Sequence, residues 1–340
     1  MCFLFFKRFK ERTESEYVKA INTYSKADRC FLCGKQMTSA CNSHVVPQFL
    51  LRNISENGMI SYGHALNRIK IKGLERITGI KNAYTFRLIC DECDKIYFHN
   101  YENKDNLINF DSLEANLKKQ ILCEMALKTH LSHIDVKYKR MIAKDIAAGG
   151  KLRELEEKGK YICVERIDLE EHARYINDLL AKHKSNKNPF EVLYNRVLNY
   201  KVKFATQTII NFNYDLEGNQ IFDPYLVTSK NECRYFYLMV LPFQDSTRVM
   251  FYIEKNHLNH VSSIVEQFEK LTDDEKLHFL FISLIIHDQQ FYITPSLAEK
   301  IRKKDKKLVN LYTKTDEIHL NKQKEIINFR KYNNYLLNDH

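Results

Sequence analysis

Four cysteines stand in two pairs of identical spacing, Cys30-Phe-Leu-Cys33 and Cys90-Asp-Glu-Cys93. A two-residue gap lets both thiolates of a knuckle face one ion, and two knuckles complete a tetrahedron. Gly34 follows the first pair, where a tight turn needs the positive φ that glycine tolerates. One such pair could serve redox chemistry, but two favour a metal. The expectation is a structural zinc on Cys30, Cys33, Cys90 and Cys93. Such a metal is a folding element, contributing on the order of 10 kcal/mol in small zinc modules. A rival ligand set exists. Cys41 and His44 continue the first pair as Cys30-x2-Cys33-x7-Cys41-x2-His44 and could close a site alone, leaving Cys90 and Cys93 an unexplained matching pair. The choice matters, because a zinc-bound His44 cannot act as a base.

Between the pairs runs Ser43-His44-Val45-Val46-Pro47-Gln48-Phe49-Leu50-Leu51-Arg52. Val45-Val46 favours a short strand with His44 at its start, and Pro47 ends the ladder pairing. A second extended run, Tyr84 to Ile89, ends on Cys90, and the second pair opens a helix from Asp91 to about Glu102. The expected arrangement is two strands and a helix with zinc at the base. That helix offers Asp94, His99, Asn100 and Asn103. His99 and Asn103 share a face. Asp94 and His99 are about 140° apart around a helix, so one ion is not expected to take both.

The order CxxC, polar-His-hydrophobic-hydrophobic-Pro, then Leu-Ile-CxxC-acidic resembles the HNH endonucleases in their zinc-stapled, treble-clef-like variety. The resemblance covers roughly residues 28–103. It implies a ββα-metal fold in which His44 is the general base that activates water. It implies a catalytic divalent ion, Mg²⁺ or Mn²⁺, with Asp94 as first candidate ligand and His99 as second. Asn82 is a weak match to the Asn that orients the loop. Two positions depart from the pattern: Ser43 replaces the usual Asp before the histidine, and Asp94 replaces an Asn. A serine hydroxyl is a weak ligand for a hard cation, and a carboxylate is a strong one, so Asp94 could compensate. The implied activity is phosphodiester hydrolysis of DNA, or else of RNA, in bacterial anti-phage defence. An ATPase encoded nearby is an implied partner. The alternative is a non-catalytic zinc-dependent module that binds nucleic acid or protein.

These parts must be carried by a larger frame. The chain has 340 residues, 44% hydrophobic and 28% charged, which is globular composition and enough for a core without disulfides. Nine cysteines, an odd number, with no export signal argue the same way and point to the cytoplasm. No run of ~18 uncharged apolar residues is present, which excludes a membrane helix. The net charge of +10 permits polyanion binding without demonstrating it. Arg52 and the basic run at Lys303, Lys304 and Lys307 are the candidate phosphate contacts. The more common reading of such a run is a solvated helix face.

The expected fold class is α+β: a zinc-stapled HNH-like module followed by a larger α+β domain. Residues 1–110 hold an N-terminal helix and the module, 111–150 a helical connector, and 151–340 the second domain with its basic tail. Asp111 or Ser112 is the expected cap of the connector helix, whose apolar stripe is Leu113, Leu117, Ile121 and Met125. His130 and His133 read as structural or solvated. Gly149-Gly150 marks the boundary. Beyond it, strands are expected at Tyr161–Val164, Ala205–Ile210, Phe236–Pro242 and Arg248–Glu254, the last two forming a hairpin. Helices are expected at Leu169–Lys184, Val261–Leu271 and Asp273–His287, with a strand entering a turn before Pro295. A charged tail follows from Thr315.

Overall fold

The computed structural model describes residues 21, 23, 25, 27–63, 77–158, 164–223, 233–287, 290–313 and 322–337. In chain order these form β1 (Ser43–His44), α1 (Gln48–Ile54), β2 (Met59–Gly63), β3 (Ile77–Gly79), β4 (Thr85–Phe86), α2 (Asp91–Phe98), α3 (Lys104–Ile108), α4 (Ala115–Ala147), α5 (Leu152–Glu157) and α6 (Val164–Lys184). The second half forms β5 (Phe190–Leu198), β6 (Phe204–Ile210), β7 (Phe236–Pro242), β8 (Thr247–Glu254), α7 (Ser262–Glu269), α8 (Asp273–Ile286), β9 (Phe291–Ile293), α9 (Pro295–Lys304) and α10 (Lys306–Thr313). The class is mixed α+β, as expected. None of the described helices is long and apolar enough to cross a membrane.

The chain divides into two compact units, neither continuous in sequence. One takes Met1–Val45, Tyr84–Asn103 and Gln120–Asn186; the other takes Val46–Ala83, Lys104–Lys119 and Lys187–His340. The sequential boundaries expected at 110 and 150 differ from this division. Gly149 and Gly150, at φ 67° and 75°, do make a turn, but it ends α4 inside the first unit.

In the first unit, β1 pairs antiparallel with β4, with Ser43 opposite Phe86 and His44 opposite Thr85. The strand expected at Val45–Val46 lies two residues earlier. The carbonyl of Val45 accepts the Tyr101 hydroxyl at 3.2 Å instead of a ladder bond. The helix expected to reach Glu102 stops at Phe98. Glu124 of α4 takes the Tyr101 N–H at 2.7 Å and the Asn100 amide at 2.8 Å, diverting the chain.

α4 carries two polar stripes. Glu124, Lys128 and Asp135 share one face by helical spacing and serve the β1–β4–α2 module, Asp135 accepting the Tyr84 hydroxyl. His130, Lys137 and Lys144 share another and meet His172, Asp168 and Glu165 of α6. Ile121 and Met125 are fully buried between them, while Leu113 and Leu117 of the expected stripe are only half-buried. Asp111 does not cap this helix, which begins at Ala115. The strand expected over 161–164 falls mostly outside the described residues, and Val164 opens α6. The expected N-terminal helix and most of the tail also lie outside them.

The second unit is a seven-stranded antiparallel sheet in the order β3-β2-β9-β6-β7-β8-β5. The expected hairpin is present: Phe236 pairs with Ile253 and Pro242 with Thr247. Phe236, Leu238, Val240, Val249, Phe251 and Ile253 face a core closed by Leu277, Leu280, Phe281 and Leu284 of α8. Thr272 and Glu275 start α8 with a reciprocal capping box. α1 packs on β6 and β7, and Asn53 bonds the Pro242 carbonyl at 3.0 Å. Glycine is required at position 63, because an added Cβ would come within 2.5 Å of the Phe291 ring.

Candidate functional site

The two knuckles converge. Sγ atoms of Cys30, Cys33, Cys90 and Cys93 all lie within 4.8 Å of one another. Cys33 and Cys90 are 3.9 Å apart, and a tetrahedral zinc with bonds of about 2.3 Å places its sulfurs about 3.8 Å apart. Four thiols at that spacing fit a metal such as zinc. Backbone bonds set it up. Phe31 N–H donates to Leu88 at 2.8 Å and Cys41 N–H to Ile89 at 2.9 Å, so the first knuckle is laced to the segment entering the second. Gly34, at φ 71°, donates its N–H to the Cys30 carbonyl at 2.8 Å, the turn expected of it. Cys90 sits at the N-cap of α2 and opens the helix that carries Cys93.

Burial pushes the Cys30 thiol up, but the backbone N–H groups of Cys33, Cys90 and Leu32 together outweigh it and bring it down to about 7. Cys93 moves up, through burial and the neighbouring thiols. Cys41 is pushed up to about 12 by burial and the charge of Asp94. Cys41 and His44 do not join the cysteine cluster, so the rival ligand set does not assemble.

His44 is 8% exposed on β1. Its neighbour Ser43 donates its hydroxyl to Asp94 Oδ1 at 2.6 Å. The two residues that depart from the family pattern therefore bond each other, tying α2 to the strand that carries His44. The sulfur of Cys41 lies 3.6 Å from Asp94 Oδ2. Lys128, missed in the sequence, completes the group. Its Nζ is 3.8 Å from Asp94 Oδ1, paired with Glu102, and 4.7 Å from the Phe98 ring centre. The Lys128 side chain is 0% exposed. Only its place on the buried face of α4 could have flagged it.

His99 is exposed at the C-cap of α2, its Nδ1 3.0 Å from the Ile96 carbonyl, and Asn103 lies beyond the helix. The side chain of Asn82 lies outside the described residues. Among the described residues the four cysteines form the one gathering of three or more ligand-type groups. Asp94 accepts from Ser43 and stands beside Cys41 and Lys128.

The other candidate residues belong to the second unit. Arg52 is exposed in the last turn of α1. The basic run is split by Asp305 between α9 and α10. Lys303 pairs with Glu299 at 2.5 Å, Lys304 is exposed, and Lys307 donates to the Lys331 carbonyl at 2.7 Å. Comparison of the chain with family models, curated proteins and solved structures returned no match.

Proposed function

We propose that the chain is a nuclease of HNH type that hydrolyses phosphodiester bonds, DNA before RNA, with His44 as general base. One observation carries the reading: a strand pair and a helix rise from the cysteine cluster, and the Ser43–Asp94 bond draws the helix carboxylate to the residue beside His44. A neutral imidazole takes a proton from water, and the resulting hydroxide attacks phosphorus. The P–O bond to the leaving oxygen breaks, and that oxygen takes a proton from solvent. Zinc on the four cysteines has a folding role in this reading, away from the reaction. Arg52, Lys303, Lys304 and Lys307 are the proposed phosphate contacts. A defence role and an ATPase partner rest on the family resemblance alone.

A second reading, a zinc-stapled binding module without catalysis, is favoured by the commitment of Asp94 to Lys128 and Ser43. Plasmid and RNA cleavage by wild type and His44→Ala separates the two. The nuclease reading expects cleavage by wild type, its loss in the variant, and equal zinc in both. Equal zinc with no cleavage by either protein, with or without Mg²⁺ or Mn²⁺, supports the binding module.

A further inference from the structure

The buried ammonium beside Asp94 is the least expected feature of the site. Lysine is almost never fully buried unless paired, and Lys128 has 0% side-chain exposure. Its position is defined on every side. Glu102 pairs with it, Asp94 Oδ1 lies 3.8 Å away, and the rings of Phe98 and Tyr101 approach its Nζ at 4.7 and 6.0 Å. Leu127 and Leu131 flank it on α4, both buried. The two carboxylates keep side-chain exposures of 17% for Asp94 and 41% for Glu102. An ion arriving from water would meet two carboxylates that already share one buried positive charge.

We propose that Lys128 is the resident cation of this site and sets its divalent-ion requirement, acting as a positioning residue through Asp94 and Glu102. The ammonium supplies the positive charge that these carboxylates need and holds Asp94 in the orientation that receives the Ser43 hydroxyl. A divalent ion on these carboxylates and the ammonium oppose each other, because two cations a few ångströms apart repel strongly where one of them, Lys128, has no solvent-exposed side chain to screen it. A neutral side chain of similar length removes the competitor and leaves two uncompensated carboxylates, the kind of oxygen donor that Mg²⁺ and Mn²⁺ take. This inference rests on the reading of Asp94 as the acid of the reacting site, but its test does not require cleavage.

The test is Mn²⁺ binding to the zinc-loaded full chain, followed by electron paramagnetic resonance of the free ion without nucleic acid. Wild type is expected to bind no Mn²⁺ at submillimolar concentration through Asp94. Lys128→Met is expected to bind one Mn²⁺ at least tenfold more tightly than wild type, and Lys128→Met with Asp94→Asn to lose the gain. Equal affinity in wild type and Lys128→Met, or a gain that survives Asp94→Asn, overturns the proposal. If Lys128→Met fails to retain zinc, wild type beside Asp94→Asn decides. Submillimolar Mn²⁺ binding that disappears in Asp94→Asn overturns the proposal, and its absence in wild type supports it. Loss of the nuclease reading alone leaves these binding outcomes unchanged.

Discussion

At the scale of single residues, the first unit contains many buried ionisable groups, and their chemistry gives it a pH dependence. His130 and His172 approach Nδ1 to Nδ1 at 3.0 Å, and Tyr175 stacks on the His130 ring at 5.0 Å. Burial brings His130 down to about 3 from an ordinary 6.5, with the Lys182 charge adding to the effect. Burial and neighbouring charge also hold His133 and His172 well below that value. The native state keeps the three neutral, while the unfolded chain protonates them as pH falls below 6.5. Their contribution is complete above that pH and erodes as pH falls from there toward the folded values. Each histidine contributes about 1.4 kcal/mol per pH unit in that window. Urea unfolding of zinc-saturated protein should therefore lose stability as pH falls from about 6.5 to 5, and His172→Gln should reduce the slope there by up to about one proton. An unchanged slope would place the acid sensitivity elsewhere. The expectation of structural or solvated histidines is met on its structural side, since His130 is fully buried.

At the scale of elements, Arg248 of β8 explains how α3 and the chain after it are held on the sheet of the second unit. Its side chain is 2% exposed. It donates to both carboxylate oxygens of Asp111 at 3.1 and 3.0 Å, to the Asn195 side chain at 2.8 Å, and to the carbonyls of Leu107 and Ile108. Asp111 therefore spends its carboxylate on Arg248 and Asn195. Burial pushes the Asp111 carboxyl up, and Asn195 with Arg248 outweighs it, holding the group below its usual value. Arg248→Met leaves two backbone carbonyls without donors and should cost about 2–4 kcal/mol. Lysine has no planar fork, so Arg248→Lys should recover less than half of that in a denaturant titration. Full recovery by lysine would mean that charge alone, rather than the five-donor geometry, holds the segment.

At the scale of the whole molecule, the cysteine cluster lies wholly within the first unit, whereas the second is organised around an apolar sheet core. Chelation of zinc should therefore act unequally. Calorimetry of the zinc-loaded chain with a strong chelator should show a transition that moves to much lower temperature and one that stays. The same result is expected for Cys90→Ser without chelator, because a site with three thiolates keeps little of the affinity of four. One transition moving as a whole would show that the units unfold together.

The sequence by itself determined the local parts. Two identical CxxC spacings were enough to name the four clustered cysteines, because the gap within each pair is a local property of a turn. Gly34 and its positive φ, the β7–β8 hairpin and the core stripe of α8 were legible for the same reason, since turn chemistry and apolar period act over a few residues. β5 was missed because its alternation is broken by a bulge between Val192 and Tyr194 and because Val197 is exposed. β2 was missed because its partners are remote: Ser61 pairs with Ile293 of β9, and no local pattern encodes that register. Tertiary structure alone decided the working details of the candidate site. Glu124 ended α2 early, Asp94 turned to Ser43, and Lys128 entered from a helix more than twenty residues further along. Each of these results from a buried polar group having to find its partner once water is excluded, a requirement met by proximity in space.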